Sequence, residues 1–173
     1  GHQICSNYVR RIEQEHGDLL DELPDKDLAA APAGSELAEE YYGAMCAAVN
    51  FAWVNRQLIT HRTRETLADV FDTVDTADVE LLYDVAHNIA KRETHEVDGE
   101  DRELFVHRKG ATRAFPPGRE EVPAAYRDVG QPVIIPGSMG AGSYVLKGGE
   151  RSLEETFGST AHGAGRLMSR TQA

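Results

Sequence analysis

The sequence predicts an α+β fold, in which helices come first and a mostly antiparallel sheet or sandwich with functional loops follows. Up to about residue 72, apolar side chains recur at helical intervals. From about residue 79, short apolar runs alternate with Gly and Pro, which is typical of strands and turns. The 173 residues are 40% apolar and show no clear boundary, so we expect a single domain over 1–173.

Three helices are expected. The first spans Ile4 to Leu20, and Leu23-Pro24-Asp25 ends it. A loop at 28–34 precedes the second, which runs from about residue 36 to about residue 60. A third, amphipathic helix follows near 63–72. Four strands are then expected from the short apolar runs, at Glu80 to Ala86, Leu104 to His107, Pro132 to Ile135 and Ser143 to Leu146.

Charge is distributed unevenly along the chain. The net charge is −11, yet residues 1–103 carry 23 acidic and 9 basic side chains, whereas residues 104–173 carry 6 and 9. Within residues 104–173, three long stretches lack Asp and Glu altogether, at 104–119, 129–149 and 156–173. Basic segments free of carboxylates attract anionic ligands, so these stretches indicate phosphate binding; chance clustering is the alternative.

The absence of long apolar runs and the spacing of the two cysteines narrow the class of protein. No apolar run approaches the roughly 18 residues that span a bilayer, and no signal peptide opens the chain, so a cytoplasmic protein without a membrane partner is expected. Cys5 and Cys46 are far apart and follow no zinc-type spacing, which favours two reduced thiols.

Two histidines are candidates for chemistry. His162 precedes G-A-G-R, where glycines leave the imidazole uncrowded, as a nucleophile or base requires; a turn histidine with one hydrogen bond is equally open. Arg166 and Arg170 would share a helical face beyond it and offer two guanidiniums to phosphate. His87 ends an apolar run beside Asn88, where a metal ligand or, more commonly, a structural histidine is found.

A glycine-rich segment, P-G-S-M-G-A-G-S at 136–143, follows an expected strand. Its amides could hold a phosphate or a nucleobase, although a plain turn explains it as well. The standard P-loop, dinucleotide-binding and nucleophile-elbow patterns are absent from it.

Together these segments resemble the RtcB-type RNA ligases, the GTP- and manganese-dependent enzymes of tRNA splicing and RNA repair. The resemblance covers essentially the whole chain. It is carried by N-F-A-W-V-N-R-Q at 50–57, Y-D-V-A-H-N-I-A-K at 83–91, V-H-R-K-G-A-T-R-A-F-P-P-G at 106–118, G-Q-P-V-I-I-P-G-S-M-G at 130–140, H-G-A-G-R at 162–166 and G-H-Q at 1–3.

The resemblance implies an activity and its site. His162 would attack the α-phosphate of GTP and carry GMP, which is passed to an RNA 3′-phosphate and displaced by a 5′-hydroxyl end. Two manganese ions complete such a site, and His87 matches one of their ligands. Basic positions expected at RNA or leaving-group phosphates are Lys109, Arg166 and Arg170. The positions that match the GTP site are His87, Asn88, Pro136, Gly137, Ser138, Met139, Ser143, His162, Gly163, Ala164 and Gly165.

The family's remaining metal ligands, an Asp, a Cys and two His, have no match here, and His2, Cys5 and Cys46 do not replace them. A C-terminal lysine that reads guanine has no match either. We therefore expect a partial catalytic domain that is inactive alone and whose partners are RNA, GTP, the missing N-terminal half of the ligase and, in some cases, an accessory activator protein. The alternatives are a non-catalytic nucleotide- or RNA-binding fragment and a phosphate-binding enzyme of another family.

Overall fold

The computed structural model describes residues 1–25, 28–138 and 140–163. Helices dominate the first part of the chain and antiparallel strand pairs the second, which confirms the α+β class. The chain divides into two compact units, one from Gly1 to Glu80 and the other from Leu81 onward. No helix among the described ranges is long and apolar enough to cross a membrane.

The first unit is helical. Its helices are α1 (His2–Glu15), α2 (Gly17–Leu20) and α3 (Glu36–Val70), and a short 3-10 helix follows at Thr76–Asp78. The Ser35 hydroxyl caps α3 by accepting a hydrogen bond from the Ala38 amide at 3.2 Å. Helices α1 and α3 pack against each other, with the rings of Tyr8 and Tyr41 tilted and 5.4 Å apart, and each helix has one buried residue, Ile12 and Leu37 respectively.

Two helix boundaries differ from the prediction. The first expected helix is divided at His16, next to Gly17, a residue that favours a break. The expected second and third helices form one, because no Gly or Pro lies between residues 60 and 63. The hydroxyls of Thr60 and Thr63 instead donate to carbonyls one turn back and remain compatible with the helix.

The described residues of the second unit form three two-stranded antiparallel sheets. In chain order its elements are β1 (Asn88–Val97), β2 (Glu100–Lys109), β3 (Ala111–Arg113), a 3-10 helix (Ala124–Tyr126), β4 (Pro132–Ile135), β5 (Tyr144–Lys147), α4 (Ser152–Thr156) and β6 (Ser159–Ala161). Strand β1 pairs with β2, β3 with β6, and β4 with β5. The expected strand at Pro132 to Ile135 is confirmed, and the expected strand at Ser143 begins one residue later.

The prediction of a strand over Glu80 to Ala86 was wrong, since this segment is irregular and the strand begins at Asn88. Two of its backbone carbonyls accept hydrogen bonds from side chains of other elements and not from the backbone of a neighbouring strand. The Tyr126 hydroxyl donates to the Leu82 carbonyl, and the Thr112 hydroxyl donates to the Ala86 carbonyl at 3.3 Å. These bonds place the end of the segment, residue 87, beside β3.

The core of the second unit lies around Phe115, which is fully buried together with Val122 and Val133. The guanidiniums of Arg113 and Arg119 lie over the Phe115 ring, 4.7 and 5.0 Å from its centroid. By contrast, all four residues of β5 are exposed, among them Tyr144, Val145 and Leu146.

Candidate active site

Two predicted site residues meet in the second unit. The imidazoles of His87 and His162 stack with their centroids 4.4 Å apart and their planes 20° from parallel. His87 immediately precedes β1 and His162 immediately follows β6, so the two come from different strand pairs, 75 positions apart in sequence. The structure thus brings together the predicted metal ligand and the predicted nucleophile.

The backbone of a single residue, Gly110, is hydrogen-bonded to the backbones of both. The amide of Gly110 donates to the His87 carbonyl at 2.9 Å, and the carbonyl of Gly110 accepts from the His162 amide at 3.0 Å. Gly110 lies between β2 and β3 with φ +67°, a conformation that favours glycine. A Cβ at this position would meet nothing within 4 Å, so backbone conformation and not crowding requires glycine here.

Two further predicted residues border the imidazoles. The β1–β2 register pairs Asn88 with Lys109, and both side chains are exposed. Asn88 follows His87 directly, and Lys109 precedes Gly110. The amide of Asn88 and the ammonium of Lys109 are therefore available to a polar ligand at this end of the hairpin.

The His162 ring is half-buried, and its Nδ1 is enclosed without a hydrogen-bond partner among the described residues. Buried polar atoms are nearly always hydrogen-bonded, and exceptions concentrate at functional positions. Because Nδ1 is enclosed, Nε2 is the nitrogen of this ring that is left for a ligand. Gly163 follows with φ +150°, so the chain leaves the imidazole in a conformation that L side chains rarely adopt.

The glycine-rich segment forms the loop of the β4–β5 hairpin and belongs to a different strand pair from the imidazoles. The Gly137 amide donates to the Ser143 hydroxyl at 2.9 Å, which closes the loop. A Cβ on Gly137 would lie 2.0 Å from the Ala141 carbonyl oxygen, so the loop folds back too closely for any other residue. Pro136 and Ser138 flank Gly137 and are half-buried.

Five predicted site residues, Met139, Ala164, Gly165, Arg166 and Arg170, lie outside the described residues. Within the described ranges no group of three or more His, Cys, Asp and Glu could hold a metal ion. His87 alone supplies one imidazole, whereas manganese requires several oxygen or nitrogen donors. The described residues therefore do not by themselves fit a manganese centre.

The acid-free stretch at 104–119 is less available to anions than the sequence indicated. Arg108 is buried, and it forms a bidentate ion pair with Glu93, which lies outside the stretch on β1. Arg119 pairs with Glu121, just beyond the end of the stretch. Lys109 stays exposed because successive residues of a strand face opposite sides.

Sequence reasoning missed this buried group around Glu93. Burial disfavours its charged form, but hydrogen bonds from Arg108 and His95 outweigh that effect and lower the pKa of the Glu93 carboxyl. The His95 ring nitrogen Nε2 lies 3.0 Å from Glu93 Oε2. The signal was faint, because Glu93 and Arg108 are fifteen positions apart and are not register partners: Glu93 lies opposite Leu104, and Arg108 lies opposite Ile89.

Gly110 was also missed as a site residue, although a glycine directly after a strand is a visible sign of a left-handed turn.

Comparison with known proteins agrees with the sequence motifs. The family model described as tRNA-splicing ligase RtcB matches residues 1–173. The tRNA-splicing ligase RtcB of Thermococcus kodakarensis is 56% identical over all of this chain, and those of Methanococcus maripaludis and Pyrococcus horikoshii are 53% and 55% identical. The chain spans 36% of the length of the first two relatives and 20% of the third. Because the family model matches the whole of this chain, residues 1–173, the chain belongs to the RtcB family.

Proposed function

We propose that this chain forms the nucleophile-bearing part of a GTP-dependent RNA ligase of the cytoplasm. The complete enzyme would join RNA 3′-phosphate or 2′,3′-cyclic phosphate ends to 5′-hydroxyl ends in tRNA splicing and RNA repair. Family membership supports this, and one observation carries it: the predicted nucleophile His162 is stacked on the predicted metal ligand His87 at 4.4 Å. Residues 1–173 would be one part of a catalytic domain that needs further segments.

The proposed first step is guanylation of His162. The lone pair of Nε2 attacks the α-phosphorus of GTP, a P–N bond forms, and the bond to the β-phosphate oxygen breaks, which releases pyrophosphate. The ring then loses its Nδ1 proton and becomes neutral. That proton needs an acceptor, and Nδ1 has no hydrogen-bond partner among the described residues.

In the second stage the GMP passes to the RNA 3′-phosphate, which gains a good leaving group. The 5′-hydroxyl oxygen attacks that phosphate, a phosphodiester forms, and GMP leaves. A 2′,3′-cyclic end is first opened by water to the 3′-phosphate. The His162 ring is freed for another cycle.

Manganese is proposed as the cofactor, with His87 as one ligand and the others supplied from outside this chain. When bound, it would neutralise triphosphate charge. Within this chain, the hydrogen bonds of Gly110 to the backbones of His87 and His162 are proposed to keep the two imidazoles in their stacked arrangement. Asn88 and Gly163 are proposed to border the nucleotide at the same place, together with Ala164 and Gly165.

The hairpin loop is proposed to receive guanosine. The fold-back at Gly137 forms a short turn that includes the half-buried Pro136 and Ser138 and the Ser143 hydroxyl, and Met139 is assigned to the same loop. Lys109 is proposed to meet RNA phosphates, because it is exposed beside the imidazole pair and its neighbour Arg108 is not. Arg166 and Arg170 are assigned the same role.

The test is to incubate the full-length ligase that carries this sequence with α-labelled GTP and Mn²⁺. Labelled GMP should appear on His162, and the bond should be lost in acid, because a phosphoramidate hydrolyses once its nitrogen is protonated. His162→Ala should abolish the label, and His61→Ala, an exposed histidine on α3, should leave it unchanged. Label on a lysine peptide, or on the His162→Ala variant, would disprove the assignment.

One observation favours a second candidate, a non-catalytic nucleotide- or RNA-binding part. The described residues supply a single metal ligand from the predicted set, which is too few for catalysis without other segments. Under this alternative the chain would bind GTP or RNA, and no covalent guanylate would form in any assembly that contains it. The labelling experiment separates the two.

A further inference from the structure

The buried guanidinium of Arg108 connects the β1–β2 hairpin to the segment that carries His162. Its Nη1 and Nη2 donate to Glu93 Oε1 and Oε2, both at 2.8 Å, on β1. On the other side its Nε donates to the Ser159 hydroxyl at 2.8 Å, and Nη2 also donates to the Phe157 carbonyl at 3.0 Å. Arg108 is 2% exposed, so these bonds are made without water.

The segment held in this way is short. Strand β6 contains only three residues, and among the described parts of the chain it pairs with β3 alone, with Ala111 opposite Ala161. His162 follows Ala161 directly, so its backbone position depends on where β6 begins. Arg108 binds the first residue of β6, Ser159, and the turn before it.

That turn is built in an unfavourable conformation. Phe157 has φ +50°, which is uncommon for a residue other than glycine, and Gly158 follows with φ +61°. A strained turn persists only where its surroundings fix it. The Phe157 carbonyl is fixed by Arg108, and its ring meets His95 edge to face with centroids 5.2 Å apart.

The ion pair itself is a costly way to fill the core. A buried pair of charges often contributes no more stability than apolar residues of the same volume, although losing one partner is strongly destabilising. Here the pair fixes the orientation of the Arg108 guanidinium. A planar guanidinium binds a carboxylate through two parallel hydrogen bonds, and this leaves Nε pointing at Ser159. His95 in turn holds Glu93 Oε2.

We propose that Arg108, oriented by Glu93, is a positioning residue that fixes β6 and thereby sets the His162 imidazole against its stacking partner for attack on the nucleotide. The inference rests on the proposed function, since it concerns the rate of His162 guanylation. Arg108 itself is buried and touches neither nucleotide nor RNA.

The experiment compares single-turnover guanylation in the full-length ligase and three variants. The double variant Glu93→Leu/Arg108→Met replaces the ion pair by apolar side chains of similar size. Ser159→Ala removes one bond to β6 and leaves the pair intact. Arg102→Met, on the same strand but about half-exposed, is the matched control.

For the double variant we expect a folded protein whose guanylation rate falls about 100-fold while the KM for GTP stays within about twofold, because misplacement of a nucleophile acts on the chemical step. Ser159→Ala should lower the rate by about threefold to tenfold. Arg102→Met should match the wild type. A merely structural role would lower the melting temperature of the double variant without this selective loss of rate.

A folded double variant with the wild-type rate would overturn the positioning role. If the double variant does not fold, Ser159→Ala decides: a wild-type rate there overturns the proposal, and a selective loss of rate supports it. If the wild type itself forms no guanylate on His162, the proposed function fails instead, so the two failures are distinguishable.

Discussion

His87 and His162 stack ring on ring at 4.4 Å, and the amide and carbonyl of Gly110 are hydrogen-bonded to the backbones of His87 and His162 respectively. The separation of the two imidazoles is therefore set by main-chain bonds at 2.9 and 3.0 Å and not by side-chain packing alone. A change in the conformation of Gly110 should alter both rings together.

The first prediction concerns this glycine. Gly110→Ala should destabilise the protein by about 1–2 kcal/mol, the cost of a left-handed residue with a side chain, and should slow guanylation of the full-length enzyme as the turn shifts. Gly99→Ala is a matched control, because Gly99 has φ +81° and equal space around it but lies in the β1–β2 turn. We expect similar losses in thermal stability from both variants and a loss of activity from Gly110→Ala alone. Equal activities would show that Gly110 does not position the imidazoles.

The second prediction concerns RNA. Lys109→Ala should weaken RNA binding and lower the slope of log affinity against log salt by roughly one phosphate contact, about 0.7 to 0.9. Lys147→Ala, an exposed lysine on β5, is the control. Arg166→Ala is expected to act like Lys109→Ala. Fluorescence anisotropy over a salt series measures both quantities, and an unchanged affinity at every salt concentration would remove these residues from the RNA path.

The third prediction is that the 173-residue chain alone, given GTP and Mn²⁺, forms no covalent guanylate. His87 is the single imidazole assigned to the metal, and without further ligands the triphosphate charge is not neutralised for His162. Adding the remaining segments of the ligase as a separate polypeptide should restore labelling if the parts associate. Robust labelling of the chain by itself would mean that the metal ligands are misassigned.

The fourth prediction is acid sensitivity of the strand-rich unit. The pKa of Glu93 is lowered on folding, so its ionised form contributes stability that is full above the ordinary carboxyl value near 4.5 and is lost as the pH falls through the lower folded value. Glu93→Gln should cost about 3–5 kcal/mol at pH 7 by leaving Arg108 unpaired. It should also flatten the dependence of stability on pH in the acid range. Urea unfolding from pH 3 to pH 7 measures this.

Glu96→Gln, exposed on the same strand, is the control for that experiment and should keep the wild-type pH dependence. If Glu93→Gln also keeps it, the ionised carboxylate of Glu93 is not the source of the acid sensitivity.

Part of this structure could be predicted from sequence, because it depends on local patterns. Periodicity predicted helix over the range of α3, although as two helices and not one, and the apolar run at Pro132 to Ile135 predicted a strand that is confirmed. The irregular segment before His87 could not be predicted, since its apolar residues resemble a strand and its bonds come from Tyr126 and Thr112, far along the chain.

The candidate site also combines features that local sequence predicts with features that depend on the fold. Long motifs identified His87 and His162 one at a time, but their stacking depends on Gly110, whose role follows from a turn geometry that only the fold reveals. Arg108 and Lys109 are adjacent and both basic, and charge counting treats them alike. Strand alternation buries one against Glu93 and exposes the other.

The exposed β5 strand has a consequence for the aggregation of this chain in solution. Strand β5 exposes three neighbouring apolar residues with high β-propensity, Tyr144, Val145 and Leu146, to solvent. Such an exposed strand favours association with other chains. A net charge of −11 keeps identical chains apart at low ionic strength. Added salt screens that repulsion and strengthens apolar contacts, so colloidal stability should worsen in concentrated salt, and purification in dilute buffer should yield the less aggregated material.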